Sequence, residues 1–170
     1  ESYAFAGCES LTGITIPERV TAIGEFAFDM CGFKSVKFKG TKRDWDNITI
    51  APGNDALSNI VFEKTVVLYD LNGEQETFSK QIKNSGESFM VPAIRPIKRG
   101  YEFKGWATSE NGIVEYLPGD TFCTESDLVL YAVWEANTYT VTYNSNGGSG
   151  SMNTSVHQYD ESQFLNANKF

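Results

Sequence analysis

The chain has 170 residues, of which 41% are hydrophobic and 21% are charged, and this composition is typical of one or two globular domains. Its 14 Lys and Arg residues against 22 Asp and Glu give a net charge of -8, which argues against a nucleic-acid partner. No segment approaches the roughly 18 apolar residues of a membrane span, so we expect no membrane insertion. The single histidine, His157, excludes most zinc and triad chemistry and is expected to face solvent.

A short pattern opens the chain and returns 23 residues later, first as AFAGC at 4–8 and then as AFDMC at 27–31. Each copy is followed by a run of the type LxxIxI, and a third run comes later. The apolar positions of the three runs are Leu11, Ile14 and Ile16; Phe33, Val36 and Phe38; and Leu57, Ile60 and Phe62. Alternating apolar residues predict one short strand per repeat. We therefore expect a parallel sheet in which Ile14, Val36 and Ile60 form one buried row. Ile16, Phe38 and Phe62 should form a second buried row.

Polar and aromatic residues after the second run predict a short helix near 41–48. Thr41 and Asp44, three residues apart, are spaced as in a capping box. Trp45 and Ile48 would lie on one face of that helix and pack onto the last repeat.

The sequence from Ile16 to Phe38 follows IPxxVTxIGxxAFxxCxxLxxIxF, with one residue missing before Phe33, and resembles the BspA-type leucine-rich repeat of bacterial surface proteins. This resemblance implies that residues 1–63 are the C-terminal part of a leucine-rich-repeat solenoid, with the helix as its closing segment. In such a stack, Cys8 and Cys31 would be small buried hydrophobic residues in one column. Ile23 and Phe28 should also point inward.

A second repeat begins near residue 64, because VLYDLNG at 67–73 recurs as VTYNSNG 74 residues later. Between the copies stand GYEFKGW at 100–106 and LYAVW at 130–134. This combination resembles the Listeria–Bacteroides repeat, which is related to the internalin B-repeat. The expected fold class is therefore mainly β with short helical turns, a solenoid end followed by a small β-grasp-like repeat domain.

The resemblance implies one complete unit at 64–135 and the first part of a truncated second copy at 136–170. Strands are predicted at Thr65–Asp70 and Tyr139–Tyr143, each leading into an Asn-Gly turn. Leu128–Trp134 is apolar on both faces and predicts a central strand that is covered on each side. The truncated copy is expected to start as an extended strand and to be poorly stable in isolation.

Two residue sets raise the question of carbohydrate chemistry. Five aromatic residues of the complete unit suggest either a sugar-stacking platform or the core that a unit of about 70 residues needs, and we favour the core; these residues are Tyr101, Phe103, Trp106, Tyr131 and Trp134. Asp44 and Asp46 flank Trp45, but positions two apart on a helix face different directions. We therefore predict no enzyme, no catalytic residue, no metal site and no cofactor. Trp45, Trp106 and Trp134 are expected to be structural.

Candidate ligand-binding residues come from the middle of each predicted strand. Thr15, Lys37 and Val61 lie between inward-pointing neighbours and should face solvent, with Lys39 beside them. Three strands make a patch smaller than a standard protein interface. We expect a longer array to bind a host or matrix protein or a glycan.

The two resemblances imply an extracellular protein of the bacterial surface or a secreted one. The favoured function is a non-catalytic binding or adhesion protein with the second repeats as spacer. Accessory modules of a larger secreted enzyme and a purely structural stalk remain open alternatives. We expect the solenoid of residues 1–63 to lack an N-terminal cap. An uncapped repeat exposes an apolar edge, through which we expect dimerisation.

Overall fold

The computed structural model describes residues 1–73 and 77–170, and these residues form mainly β-structure. No helix in these two ranges is long and apolar enough to cross a bilayer. In chain order the elements are β1 Gly13–Ile16, β2 Ala22–Ile23, β3 Ser35–Phe38, α1 Lys42–Asp46, β4 Thr49–Ile50, β5 Ile60–Phe62, β6 Lys64–Asp70, β7 Thr77–Asn84, β8 Ser88–Met90, β9 Tyr101–Ala107, β10 Thr121–Cys123, β11 Leu128–Ala136, β12 Thr138–Val141 and β13 Ser155–Gln158.

The N-terminal unit, residues 1–63, is built on a parallel sheet with the strand order β1-β3-β5. The register places Ile14, Val36 and Ile60 side by side, and Ile16, Phe38 and Phe62 in the next row. Both predicted rows are therefore confirmed. The repeat length sets this register, because each repeat returns the chain to the same point of the next strand.

The core of the N-terminal unit lies behind the parallel sheet. Val36 and Phe38 are 2% and 0% exposed, and the return segments bring Ile23 and Phe28 inward, as predicted. Asn54 holds these segments together, since its side-chain oxygen accepts a hydrogen bond from the Phe28 amide at 3.1 Å and its amide group donates to two backbone carbonyls. This buried asparagine satisfies backbone groups that no strand pairs.

The helix α1 forms within the predicted segment. Thr41 is its N-cap and makes a complete capping box with Asp44. Trp45 is buried against Phe38, with ring centroids 5.2 Å apart and an edge-on arrangement. The helix therefore covers the end of the core, as its sequence predicts.

The central unit, residues 64–136, contains a four-stranded mixed sheet with the order β7-β6-β11-β9. The strands β6 and β11 are parallel, and the other two pairs are antiparallel. By order of appearance in the sheet this is 2-1-4-3. The turn after β6 begins with Asn72 and Gly73, both at positive φ, which explains the Asn-Gly signal.

The strand β11 is central, as predicted, but only one of its faces is fully covered. Leu130 and Ala132 are 0% exposed on the core side. Val129, Tyr131 and Val133 on the other face are only half-buried, so the prediction of cover on both sides is wrong for them. The core-side cover comes from β8 and β10, whereas residues 1–73 and 77–170 leave the opposite face only half-buried.

The core of the central unit is mainly aromatic. Trp106 is fully buried and packs edge-on against Tyr69 and Phe103, with ring centroids 5.1 and 5.2 Å apart. Phe89 from β8 stacks with Phe122 from β10 at 5.8 Å. The small unit therefore gains most of its buried apolar area from a few large rings.

The backbone of Glu63 hydrogen-bonds to both of the first two units. The Glu63 amide donates to the Phe38 carbonyl, and the Glu63 carbonyl accepts from the Ser85 amide, both at 2.9 Å. Beside this joint, the Asp127 carboxylate accepts hydrogen bonds from the amide of Arg43 in α1 at 2.9 Å and from the amide of Val66 in β6 at 3.0 Å. Asp127 thus ties the helix to the mixed sheet.

The C-terminal segment, residues 137–170, contains the antiparallel pair β12 and β13. Its register matches that of β6 and β7 after a shift of 74 residues, and the predicted extended strand is present. Phe164, which corresponds to the buried Phe89 at a shift of 75 residues, is 100% exposed.

Truncating Phe38 should destabilise the N-terminal unit strongly. Phe38→Ala removes a fully buried ring and leaves a cavity, so we expect a loss of about 3–5 kcal/mol of unfolding free energy. Urea unfolding followed by tryptophan fluorescence measures this loss. Val61→Ala, on the exposed face of the same sheet, is the control and should change stability by less than about 0.5 kcal/mol. Similar losses in the two variants would contradict the assigned core.

Tyr69 should make stability depend on alkaline pH, because burial raises the pKa of its phenol to about 12. The neutral phenol is favoured in the folded state, so its contribution is complete below pH 10 and is lost as the pH rises from about 10 to 12. We expect Tyr69→Phe to be less sensitive in this range by an amount on the order of 2 kcal/mol. Urea unfolding at pH 9 and pH 11.5 compares the two proteins. An equal pH dependence would contradict this burial.

Candidate functional site

The exposed face of the parallel sheet carries the residues that sequence reasoning selected for binding. Thr15 pairs in register with Lys37, and Lys37 pairs with Val61, so the three lie in one row. All three are exposed, and Val61 retains 54% of its accessible surface. Their neighbours along each strand point into the core, which forces this row outward.

A polar groove of about 380 Å³ lies beside this row, and Lys39 is one of the residues that line it. The groove is lined by residues from three parts of the chain: Pro17, Glu18 and Arg19 after β1, Lys39 after β3, Glu63 and Lys64 at the joint, and Asn84 at the end of β7. Lys64 forms an ion pair with Glu18 across it. The groove therefore combines cationic and anionic groups with an amide, a set that suits a polar ligand.

Sequence reasoning missed most of this groove. Arg19 and Asn84 are separated by 65 positions and belong to different repeats, so no local pattern links them. The local sequence signal of this groove is the charged pair Glu18-Arg19 shortly after β1. The other residues that line the groove lie next to this pair only in the folded chain, where the N-terminal and central units meet.

The size of the exposed row limits what it can bind. Neighbouring strands lie about 4.8 Å apart, so three strands span roughly 10 Å. A standard protein interface needs about 800 Å² on each partner. The row and the groove together suit a short polar segment or a sugar unit better than a whole protein surface.

The aromatic set of the central unit does not form an open platform. Trp106 and Phe103 are buried, and Phe103 packs edge-on against Trp134 at 5.5 Å. Trp134 donates its indole N–H to the Leu71 carbonyl at 2.8 Å. Lys98 lies over two further rings, with Nζ 4.8 Å from the Tyr101 centroid and 5.8 Å from that of Trp134, and Tyr131 stands apart on the other face of β11. This geometry leaves little room for a stacked sugar.

Asp44 and Asp46 serve separate local contacts. Desolvation opposes ionisation of Asp44, but hydrogen bonds from the amide and hydroxyl of Thr41, helped by the charges of Lys80 and Lys64, lower its pKa overall. Asp46 accepts a hydrogen bond from Lys42 at 2.7 Å. Within 1–73 and 77–170, no three His, Cys, Asp or Glu side chains gather where they could share a metal ion.

His157 is half-buried rather than solvent-facing, so that prediction is wrong. Its Nε2 lies 2.7 Å from Ser155 Oγ, which in turn lies 2.8 Å from the Tyr143 hydroxyl. The complete copy has an equivalent link, because Gln81 Nε2 donates to the Tyr69 hydroxyl at 3.3 Å. Since that copy makes the link without serine or histidine, the contact is best explained as part of the repeat fold.

The cysteines depart from the expected buried column. Cys8 is exposed and Cys31 is half-buried, where its thiol donates to the Phe5 carbonyl at 3.2 Å. Next to Cys8, the Gly7 amide donates to the Asp29 carbonyl of the following repeat at 2.8 Å, but the Cys8 side chain itself stays exposed. Cys123 is also exposed and lies 3.2 Å from the Ser88 hydroxyl. The prediction of a buried cysteine column therefore holds only in part for Cys31 and is wrong for Cys8.

Comparison with known families agrees with this architecture. The chain belongs to the Listeria-Bacteroides repeat domain family, whose family model matches residues 66–133 and 139–168, more than half of the chain. Residues 1–70 match the BspA type Leucine rich repeat region. Both resemblances inferred from the sequence are thereby confirmed.

Two longer proteins of Evansella cellulosilytica are similar to parts of the chain. One, named "Putative Gly-rich membrane protein", is 51% identical over 55 residues, which cover 31% of this chain and 6% of that protein. The other, named "Putative membrane protein", is 36% identical over 83 residues, covering 49% of this chain and 12% of that protein. The chain thus corresponds to a small share of each relative.

The three thiols should differ in reactivity toward a soluble aromatic disulfide at pH 8. Desolvation by burial raises the pKa of Cys31, so its thiolate fraction is smaller than that of an ordinary thiol, and its side chain is less exposed than those of Cys8 and Cys123. We expect Cys31 to react several-fold more slowly than Cys8 or Cys123. Three variants, each keeping one cysteine, measure the rates by absorbance. Equal rates in the native protein would contradict the assigned environments, and unfolding in urea should abolish the difference.

Proposed function

We propose that this chain is part of a non-catalytic binding protein that is either attached to the bacterial cell surface or secreted. The proposal includes a finer assignment of the fold. Residues 1–63 would be the C-terminal part of a solenoid, which the in-register parallel strands support. The central unit would be a β-grasp-like spacer, which the sheet order 2-1-4-3 supports.

The observation that carries this proposal is the exposed row next to the polar groove. A residue row that faces solvent on a stacked sheet extends with every added repeat, whereas the groove occurs only at the end of the stack. Lys37 and Lys39 place two positive charges on this face of an acidic chain. We propose a host or matrix protein or a glycan as the ligand, held through weak contacts that are repeated along a longer array.

The location at the cell surface also belongs to the proposal. Its support is the family match of residues 1–70 and the names of the two relatives, both of which call those proteins membrane proteins. The proposal includes no nucleic-acid ligand, because the net charge of -8 opposes a polyanion. Dimerisation through the apolar edge of the first repeat stays a prediction; there a cavity of about 260 Å³ opens between Phe5, Ile14 and Val20.

Charge reversal on the exposed face should weaken binding. Because one patch is small, the chain is displayed in many copies on beads, where repeated weak contacts add up. We expect Lys37→Glu with Lys39→Glu to reduce capture of matrix proteins or glycans at least several-fold, with the effect shrinking at high salt.

The control is Lys34→Glu with Lys169→Glu, which makes the same change in net charge at two other exposed lysines. Its capture should match that of the unchanged chain. Equal capture by both double variants would place the binding site away from this sheet face. No capture by the unchanged chain from either ligand class would argue for the structural stalk.

A further inference from the structure

The joint between the central unit and the C-terminal segment is closely packed. The ring of Tyr159 lies directly on Gly100, where an added Cβ would come within 2.3 Å of the Tyr159 ring. Tyr101 packs edge-on against the same ring, with centroids 5.6 Å apart, and donates its hydroxyl hydrogen to Asp160 at 3.1 Å. Gly100 has a φ of +79°, so both its backbone conformation and its neighbour favour glycine.

Backbone hydrogen bonds at this joint repeat those at the first joint. The Asn137 amide donates to the Gly100 carbonyl at 2.9 Å, and the Tyr159 amide donates to the Asn137 carbonyl at 2.8 Å. At the first joint, the Glu63 amide donates to the Phe38 carbonyl and the Ser85 amide donates to the Glu63 carbonyl, both at 2.9 Å.

The positions that correspond after the shift of 74 residues are Glu63 with Asn137 and Ser85 with Tyr159. Each hairpin is thus closed by the same backbone bond, and the amide of the same repeat position donates to a carbonyl that precedes the hairpin, that of Phe38 at the first joint and that of Gly100 at the second. Two different preceding units are met by one scheme.

We propose that Gly100 and Tyr101 form a docking surface for the following repeat of the same chain, and that Tyr159 and Asp160 are the matching surface on that repeat. Successive repeats would then be fixed in orientation instead of moving as beads on a flexible linker. This inference concerns how the units join and holds whatever ligand the N-terminal unit binds.

The side chains distinguish the two joints although the backbone scheme is shared. At the first joint, Ser85 stands where Tyr159 stands at the second, and the Asp127 carboxylate bridges α1 and β6 instead. In this chain, the repeat that follows another repeat carries a tyrosine at this position, whereas the repeat that follows the leucine-rich repeats carries a serine.

The test substitutes matched glycines in the 170-residue chain. Gly100→Ala introduces a methyl group against the Tyr159 ring, whereas Gly86→Ala introduces one at φ +83° with no atom within 4 Å. Both carry the same kind of backbone strain. We expect hydrogen exchange of the Asn137 and Tyr159 amides to rise at least 10-fold in Gly100→Ala and to stay unchanged in Gly86→Ala.

A second substitution isolates the ring from the fold of the central unit. Tyr159→Ser lies outside that unit and copies the residue of the first joint, so the central unit should keep its unfolding midpoint. We expect the same two amides to exchange faster, and the combination of Gly100→Ala with Tyr159→Ser to exchange no faster than Tyr159→Ser alone. Nuclear relaxation should show residues 137–160 tumbling with the central unit in the unchanged chain.

Independent tumbling of residues 137–160 in the unchanged chain would overturn the proposal. So would equal effects of the two glycine substitutions, or effects of Gly100→Ala and Tyr159→Ser that simply add, because additive effects mean that the two sites do not interact.

Discussion

The backbone of Glu63 is shared by the two units that it connects, and the structure depends on this arrangement. Its amide extends the parallel pairing of the N-terminal sheet, while its carbonyl closes the first hairpin of the central unit. Since one residue serves both sheets, the units cannot rotate freely without breaking a ladder bond. Asp127 reinforces the joint by bonding to α1 and β6 together. Without the two hydrogen bonds of Glu63, backbone groups at the end of the parallel sheet and at the end of the first hairpin of the central unit would be left unpaired.

This shared joint also produces the candidate site. The exposed row of the parallel sheet is a property of the N-terminal unit, but the groove beside it exists only because Lys64 and Asn84 of the central unit are brought against Glu18 and Arg19. The mixed-charge groove therefore lies where the leucine-rich repeats end and the central unit begins. A ligand that reached both the row and the groove would contact two families of repeat at once.

Aromatic residues in the central unit illustrate how a small domain uses side chains that could serve function elsewhere. Trp106 and Phe103 are enclosed, and Lys98 covers Tyr101 and Trp134. A unit of about 70 residues has little apolar volume to spare, so its large rings are needed for the core. Phe89 is enclosed in the central unit, whereas Phe164, which corresponds to it in the C-terminal segment, is fully exposed.

The sequence by itself determined the repeats, both strand rows, the capped helix and the family, because these follow from local periodicity and short motifs. It also identified the outward positions Thr15, Lys37 and Val61, since alternation along a strand decides which side chains face solvent. Only the tertiary structure decided the groove, the exposure of Cys8, the half-covered face of β11 and the contact of Tyr159 with Gly100. Each of these depends on which distant segment packs against a residue, and a local pattern carries no information about that neighbour.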